Sequence, residues 1–418
     1  MKSNKDENVV IHNTFMLYLM TIAKYVFPLL LFPYLTRVLT SDYYGIVTYM
    51  TSVVSYVSLI IDFGFNFSAT RKIAQAKDNI ERINQITANV IQAKVILAVA
   101  SGLFVMILVP FVPLLKENLL VLVAYYLSTA ILAFLPDFVY RGLEQMQGIT
   151  IRYVLSKIIT TILTLLVVKG PEDLIFVPIF NGVGNLFSIL VTWIHLNKNF
   201  NVKFLLRKWK ESLTELKESF VFFVSTFAST AFTLANTILM GFVDMSTSDI
   251  ACWGVAFQLI SVVMSLYEPI TSSLYPRMVS AKKLKLLKMA ICLVLPLIVV
   301  GLVICWVGAE FFVEIVSGPG YEKAVGVFRL MLPVLLFTYP AQVLGFPALA
   351  PVHQEKYATR ATVIAAVFHI LGLILLIVFN QFSLLNIAVL RSITELIFMC
   401  VRVYYFSRIR GYYNECKQ

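Results

Sequence analysis

The sequence predicts an all-α polytopic membrane protein of about twelve transmembrane helices in two six-helix bundles. Hydrophobic residues make up 59% of its 418 residues, and charged residues make up only 14%. Since a soluble chain carries about 25% charged residues, this composition is suited to a bilayer and not to a soluble core. Apolar segments of about 20 residues, the length that crosses roughly 30 Å of hydrocarbon, recur along the whole chain.

Twelve apolar segments have this length, and they form two runs of six. The first run covers about 12–35, 45–67, 86–109, 118–139, 149–168 and 174–196. The second run covers about 219–243, 250–273, 289–309, 324–347, 357–379 and 384–406. Because the connections are short, no soluble catalytic domain fits between the segments. We therefore expect an N-terminal bundle over 1–196, a linker over 197–218 and a C-terminal bundle over 219–418.

The linker at 197–218 is the one long polar interval between spans. Its apolar residues recur at helical spacing, with Lys and Glu between them. They are Val202, Leu206, Trp209, Leu213 and Leu216, followed by Phe220 in the next span. This pattern predicts an amphipathic helix that lies on the cytoplasmic membrane surface and tethers the two bundles. A solvated linker without that helix is the alternative.

Lys and Arg residues in the connections indicate the orientation, because cytoplasmic loops are enriched in them. If the N-terminus lies inside, the cytoplasmic segments carry twenty-three Lys and Arg residues. The outside loops then carry only Arg37, Lys116, Lys169 and Lys323. This asymmetry predicts that both termini are cytoplasmic. It also accounts for the net charge of +11 without a nucleic-acid partner.

The five cysteines predict neither a metal site nor a disulfide framework. None of them forms a CxxC pair or has a nearby His, and four lie in or beside apolar spans. We therefore expect no metal and no other cofactor.

Three lysines, Lys24, Lys94 and Lys157, lie nearly half-way through predicted spans. A charged side chain at the centre of a transmembrane helix costs about 2.5–3.5 kcal/mol on insertion scales. Arg329 and Arg391 lie in the outer half of their spans. Because basic residues outnumber acidic ones at this depth, a watery cavity for an anionic substrate is the favoured explanation. Pyrophosphate suits such a cavity, since Lys and Arg bind phosphate oxygens through charge-assisted hydrogen bonds.

The alternative for each of these charges is a structural ion pair between helices. Glu395 follows Arg391 by one helical turn, and we expect these two side chains to pair. Asp62 and Glu268 lie near the cytoplasmic ends of their spans. Together with Glu395, they are the candidate residues for coupling transport to an ion gradient.

Two further arginines, Arg152 and Arg402, lie near cytoplasmic helix ends. A long basic side chain in that position can extend to the membrane surface. We expect both arginines to do so, and membership of the cavity is the alternative.

Three strings of residues carry a family resemblance. They are residues 28–39 (PLLLFPYLTRVL), residues 62–74 (DFGFNFSATRKIA) and residues 273–277 (SLYPR). These strings resemble the first-helix signature, the end of the second helix and the close of the eighth helix in the O-antigen and capsular oligosaccharide flippases. With the twelve-span layout, the resemblance covers essentially the whole chain. The same superfamily contains lipid II flippases and multidrug and toxin extruders.

The resemblance implies a V-shaped pair of bundles around a cationic cavity in the inner (plasma) membrane. The substrate would be an undecaprenyl-diphosphate-linked oligosaccharide repeat unit for O-antigen or capsule biosynthesis. It would cross to the outer face by alternating access and reach a polysaccharide polymerase there. No bond is broken in such a step, so we expect no enzyme activity. Deep charges vary within such families, so the roles of Lys24, Lys94 and Lys157 depend on the cost of membrane burial alone.

Three other functions are alternatives. A multidrug–cation antiporter would favour deep acidic residues, whereas deep basic residues dominate here. A lipid II flippase usually has two further helices, for which this chain lacks the length. A membrane enzyme, such as a repeat-unit polymerase or ligase, usually needs a large outside loop with basic catalytic residues, and the outside loops here are short.

Overall fold

The computed structural model describes residues 2–205, 208–281, 283–409, 411 and 413, with side chains described except at 2–12, 14, 225, 228, 229, 231, 232, 276, 280 and 281. Within these residues the chain is helical and contains no β-strand, which confirms the all-α class. Some residues of the charge and linker patterns have side chains outside this description, namely Lys2, Lys5, Leu206, Arg207, Lys282, Arg410 and Lys417.

Two compact units divide the chain, Met1–Phe227 and Ala228–Gln418. The first contains α1 (Lys2–Val38), α2 (Thr40–Asp62), α3 (Phe65–Gln75), α4 (Ile80–Leu108), α5 (Pro113–Glu117), α6 (Leu119–Ala130), α7 (Asp137–Gly142), α8 (Met146–Val167) and α9 (Phe176–Phe200). α10 (Trp209–Phe242) begins in the first unit and ends in the second. The second contains α11 (Thr247–Ser265), α12 (Tyr267–Ala281), α13 (Leu284–Val307), α14 (Ala309–Ser317), α15 (Glu322–Val343), α16 (Phe346–Leu349), α17 (Glu355–Val378) and α18 (Leu384–Ile409).

Eleven helical segments of the described residues are long and apolar enough to cross a membrane. They coincide with eleven of the twelve spans that the sequence predicts. The remaining span, predicted at 219–243, lies within α10, a helix of 34 residues. The chain is therefore a polytopic, all-helical membrane protein.

The linker differs from the amphipathic helix expected at 197–218. α9 extends to Phe200 and ends on Asn201, a left-handed cap with φ 53°. Residues 201–205 and 208 lie outside helices, and α10 begins at Trp209. Residues 209–218 are thus the first turns of the helix that contains the seventh span, because that helix continues from them into the apolar segment without a break.

The exposed face of α13 shows how the spans are suited to lipid. Leu293, Leu297, Val300 and Ile304 recur at helical spacing and are 56–69% exposed. None of the most apolar stretch of this helix is buried inside the protein. An apolar surface of this length would be unfavourable in water, so it is the surface expected to face the hydrocarbon.

Close packing holds the ends of the second and fourth spans together in the N-terminal unit. Phe65 and Ile73 on α3 are buried against Phe138 and Tyr140 on α7. A Cβ at Gly142 would lie 2.5 Å from Cβ of Ile73, so the two helices approach closely only because this residue is glycine. This contact positions α7, which carries two charged residues of the site described below.

The second span is broken between α2 and α3. Phe63 has φ 39° and Gly64 has φ 77°, so two successive residues are left-handed. Such a conformation is uncommon for a bulky residue such as Phe. A Cβ at Gly64 would also lie 2.5 Å from Cβ of Phe222 on α10. Glycine is therefore required at position 64 both for its backbone conformation and for the approach of α10.

Candidate functional site

A polar cavity of about 450 Å³ lies within the N-terminal unit. Its charged lining comprises five basic side chains and two carboxylates, namely Lys24, Lys94, Arg141, Arg152, Lys157, Asp62 and Asp137. The three lysines that the sequence singles out are thus brought together from α1, α4 and α8. Anion binding by these lysines remains a prediction.

Lys94 pairs with Asp62 across the cavity wall. Its Nζ lies 3.0 Å from Oδ1 of Asp62, at the end of α2. The Lys94 side chain is only 4% exposed, whereas that of Asp62 is 46% exposed. The two partners therefore differ in their access to water, although they form one ion pair.

Arg152 pairs with Asp137, the first residue of α7. Its Nη2 lies 2.7 Å from Oδ1 of Asp137, and its side chain is 5% exposed. The expectation that Arg152 extends to the membrane surface is wrong, because Asp137 offers a charged partner inside the unit. Nε of Arg152 and Nε of Arg141 are buried without a hydrogen-bond acceptor among the described residues. These N–H groups are donors that a bound anion could use.

Lys24 and Lys157 differ from the other cations of the cavity. Neither forms an ion pair with a carboxylate of the described residues. The Lys24 side chain is exposed, and that of Lys157 is half-buried with Nζ 6.0 Å from the ring centroid of Tyr153. Two ammonium groups thus line the cavity without a neutralising carboxylate in the part of the chain that is described.

The neutral lining of the cavity is rich in amides and hydroxyls, which the sequence analysis missed. Asn181, Asn185 and Ser188 recur on one face of α9 at the i, i+4, i+7 spacing. Nδ2 of Asn185 donates to the carbonyl oxygen of Ser128 at 2.7 Å, which orients this amide. A polar stripe of this kind inside an apolar span is the sequence signal that could have identified these residues. Such groups hydrogen-bond to sugar hydroxyls and phosphate oxygens.

Arg329 lies in a different cavity. Its Nη2 is 3.3 Å from Oε1 of Glu310, and both line a hollow of about 580 Å³ together with Glu314 and Glu322. From its depth in a span, Arg329 is predicted to join the lysines of the anion site. Three carboxylates and this one guanidinium are the charged groups that line the hollow, so the hollow is acidic. A place for Arg329 in the anion site remains a prediction.

Arg391 is held in the interior of the C-terminal unit. Its Nη2 lies 2.6 Å from Oε1 of Glu395, and the two side chains are 4% and 3% exposed. The predicted pairing of these residues is confirmed. Oε2 of Glu395 also accepts a hydrogen bond from Thr338 at 3.1 Å. Glu395 already matches the charge of Arg391 in this buried pair, and a place for Arg391 in the anion site remains a prediction.

A buried histidine, missed by the sequence analysis, adds to this polar interior. Nδ1 of His369 lies 2.8 Å from Oγ1 of Thr394, and Nε2 lies 3.0 Å from Oδ1 of Asn236. All three residues are fully buried. A His inside an apolar span is the signal that could have pointed to it, since a buried imidazole needs hydrogen-bond partners.

Glu268 and Arg402, the remaining charged residues singled out from the sequence, lie in different environments. Glu268 has an exposed side chain in the first turn of α12. Arg402 is buried, where its Nη1 donates to the carbonyl oxygen of Ala341 and its guanidinium lies 4.1 Å from the ring centroid of Phe398. The expectation that Arg402 reaches the membrane surface is therefore wrong, because a carbonyl and an aromatic ring accommodate it inside the C-terminal unit.

Comparison with known proteins shows the family to which the sequence of this chain is similar. Residues 10–282 match the family described as "Polysaccharide biosynthesis protein". A candidate O-antigen transporter of Escherichia coli (strain K12) is 25% identical over 358 residues, which are 84% of this chain and 85% of that protein. A candidate O-antigen transporter of Shigella dysenteriae is 27% identical over 375 residues, 86% of this chain and 91% of that protein.

Solved structures share the fold at low sequence identity. The lipid II flippase MurJ in an inward closed conformation aligns with a TM-score of 0.69 and 15% identity over 94% of this chain and 87% of that chain. An inward-facing multidrug resistance transporter of the MATE family aligns with a TM-score of 0.58 and 13% identity over 94% and 99% of the two chains. At these identities the similarity shows the fold alone.

Proposed function

Because the chain belongs to the polysaccharide biosynthesis protein family, we propose that it is a flippase for an undecaprenyl-diphosphate-linked oligosaccharide. It moves this repeat unit from the cytoplasmic to the outer face of the inner membrane for surface polysaccharide biosynthesis. The observation that carries the proposal is the cavity of the N-terminal unit, where five basic side chains face two carboxylates. Both termini lie in the cytoplasm, as the distribution of Lys and Arg in the connections indicates.

Charge balance is the physical basis of this proposal. Asp62 and Asp137 neutralise Lys94 and Arg152, so Lys24, Lys157 and Arg141 contribute surplus positive charge. A surplus of this kind among apolar helices destabilises the protein unless an anion or water compensates it. The diphosphate of a lipid-linked saccharide supplies that anion, and its oxygens accept charge-assisted hydrogen bonds. Lys24, Lys94 and Lys157 form the core of the site.

The sugar part of the substrate is bound by the neutral lining. Amide and hydroxyl side chains such as Asn181, Asn185 and Ser188 offer donors and acceptors beside the basic groups. The prenyl tail remains in the lipid, because the exposed faces of the spans are apolar. Phosphate, sugar and prenyl chain each meet surfaces of matching chemistry.

Alternating access completes the proposal. Multidrug transporters that share this fold have been solved in inward-facing and outward-facing conformations. We infer that this chain alternates similarly and that an ion gradient or the membrane potential drives its return. Asp62, Glu268 and Glu395 are the acidic residues proposed for ion coupling. No bond of the substrate is broken, so the protein acts as a transporter and not as an enzyme.

Two alternatives share the fold. Lipid II flippase activity would use a similar diphosphate, whereas the relatives with higher sequence identity are candidate O-antigen transporters. Multidrug–cation transport would need surplus negative charge in the cavity, and the charge there is reversed. A membrane-embedded polysaccharide polymerase is disfavoured by the likeness to transporters and by the short outside loops.

Deletion of the gene tests the proposal. Lipid-linked repeat units should then accumulate on the cytoplasmic face, and surface polymer should be lost. Wild-type protein should restore polymer, whereas Lys24→Ala and Lys157→Ala should not at equal expression. Lys116→Ala is the matched control, because Lys116 lies in the last turn of α5, away from the cavity. Full restoration by both cavity variants would exclude the anion site, and accumulation of lipid II would favour the lipid II alternative.

A further inference from the structure

One three-residue segment of the N-terminal unit links the wall of the cavity to α10. Asp62 lines the cavity and accepts the ion pair from Lys94. The next residue, Phe63, stacks on Phe223 of α10 with ring centroids 4.5 Å apart and an interplanar angle of 13°. Gly64 follows and lies against the backbone of α10. A charge in the site and a helix outside it are thus joined by consecutive residues.

α3 continues this contact along α10 as an antiparallel pair. Oγ of Ser68 lies 2.6 Å from Oγ of Ser219, and both residues are buried. One turn further along α3, Nζ of Lys72 lies 2.8 Å from Oε2 of Glu215 and 2.6 Å from Oε2 of Glu218. Contacts that recur every turn along both helices indicate a specific helix–helix interface.

The backbone of this segment is strained at Phe63, so it should relax when the contacts that hold it are weakened. Phe63 occupies the left-handed region at φ 39°, a conformation that is unfavourable for a bulky residue unless the surrounding structure holds it there. The stack on Phe223 holds Phe63 in this conformation, as does its N–H, which donates to the carbonyl oxygen of Leu59 at 3.1 Å. Movement of Asp62 therefore acts directly on a residue whose conformation depends on its contact with α10.

The ion pair at the start of the segment is asymmetric. Lys94 is almost fully buried, so it requires an anionic partner at all times. Asp62 is nearly half exposed, so water can solvate its carboxylate when the pair is broken. A phosphate oxygen could replace Asp62 as the partner of Lys94. The phosphate would then stabilise the Lys94 ammonium, and water would stabilise the Asp62 carboxylate.

We propose that an anion in the cavity displaces Asp62 from Lys94, and that Phe63 and Gly64 transmit this displacement by loosening the contact of α3 with residues 215–223 of α10. Asp62 is then a positioning residue, which acts on α10 through its two neighbours in the chain. The inference depends on the proposed function, since it takes the cavity as an anion site. α10 continues without a break to Phe242, so the effect is exerted on a helix that extends into the C-terminal unit.

Hydrogen–deuterium exchange of the full-length protein in lipid nanodiscs tests the inference. Inorganic pyrophosphate, added to wild type, should raise exchange in residues 209–227 about threefold, in keeping with the modest energy of a partly exposed ion pair. Asp62→Asn should show the raised exchange without pyrophosphate and respond little to its addition. The same variant should bind pyrophosphate more tightly, because the competing carboxylate is gone.

Asp137→Asn is the matched control. It removes the other carboxylate of the cavity, whose partner is Arg152, and leaves the segment joined to α10 unchanged. This variant should bind pyrophosphate more tightly while exchange in residues 209–227 stays at the wild-type level. An equal rise of exchange in both variants would mean that general loosening, and not the Asp62 segment, is responsible, and would overturn the inference.

The wild-type experiment distinguishes failure of the inference from failure of the proposed function. If pyrophosphate binds wild type and exchange in residues 209–227 does not change, the inference is wrong and the proposed function stands. If pyrophosphate does not bind, the anion site itself is wrong. In that case an unchanged exchange in Asp62→Asn would also reject the mechanical link, because that comparison needs no ligand.

Discussion

Nζ of Lys72 on α3 lies 2.8 Å from Oε2 of Glu215 on α10, with side chains that are 18% and 9% exposed. Glu218 provides a second carboxylate at 2.6 Å. These ion pairs join α3, which follows the break in the second span, to the start of the helix that carries the seventh span. They occupy the position that the sequence assigned to a linker lying on the membrane surface. The N-terminal part of α10 is therefore an integral element of the N-terminal unit.

Reversal of charge at position 72 should weaken this junction. Lys72→Glu would place three carboxylates together, and we expect a loss of about 1 kcal/mol of stability and a lower polymer yield. Lys72→Glu combined with Glu215→Lys should recover most of both, since the opposite charges are restored. Thermal unfolding in detergent and surface-polymer assays measure the two effects. A double variant no better than Lys72→Glu alone would show that the pair does not hold α10.

Gly64→Ala should be severely destabilising. A Cβ at this position meets Cβ of Phe222 at 2.5 Å, and the backbone φ of 77° disfavours any residue with a Cβ. We expect a loss of about 2 kcal/mol or more, seen as a reduced yield of folded protein. Gly170→Ala is the control, because no atom lies within 4 Å of its Cβ position. Equal yields of the two variants would contradict the close approach of α10.

Lys157→Met should separate stability from transport. The substitution keeps the length of the side chain and removes a charge that has no carboxylate partner among the described residues, so thermal stability should stay equal or rise. Transport should fall roughly tenfold or more, because a charge-assisted hydrogen bond to the substrate is lost. Flipping assays in proteoliposomes and thermal unfolding provide the two measurements, with Lys116→Met as the control. Unchanged transport would remove Lys157 from the site.

The buried pair in the C-terminal unit should respond differently. Glu395→Leu leaves the Arg391 guanidinium buried beside an apolar side chain, and we expect a loss of about 3–5 kcal/mol. The double variant Arg391→Met with Glu395→Leu should recover a large part of the lost stability, because neither charge of the pair remains. Thermal unfolding checks both. The exposed pair of Lys323 with Asp249 is the control, and Lys323→Ala should cost less than about 1 kcal/mol.

The spans could be predicted from the sequence because their cause is local. A helix that crosses the bilayer must contain about 20 consecutive apolar residues, and that requirement can be counted along the chain. The three deep lysines could be singled out for the same reason, since each interrupts such a run. Glu395 could be assigned to Arg391 because the two residues are one helical turn apart.

Partners on different helices could not be assigned in this way. Lys94 and Asp62 are 32 positions apart, and Arg152 and Asp137 are separated by a helix boundary. Arg329 resembled the deep lysines in the sequence, yet the packing of α14 against α15 brings Glu310 within 3.3 Å of it. Which of these charges is neutralised and which remains available depends on helix packing, so the sequence alone could not separate Lys94 from Lys24 and Lys157.

The environment of the first turns of α10 could not be predicted from the sequence either. Apolar residues at helical spacing suit a membrane surface and a protein surface equally well, so the pattern around Leu213 and Leu216 did not distinguish the two. Tertiary structure does, because Leu216 packs against the core of the N-terminal unit and Ser219 meets Ser68.

The sequence by itself determined the membrane character of this chain, its helical spans and the depth of its charged residues, since each follows from the cost of placing particular side chains in hydrocarbon. Only the tertiary structure decided which of these charges meet. An ion pair needs its charged atoms within about 4 Å of each other, and that distance is set by how helices far apart in the chain pack against one another. The cavity, its surplus cations and the segment that joins Asp62 to α10 are consequences of that packing.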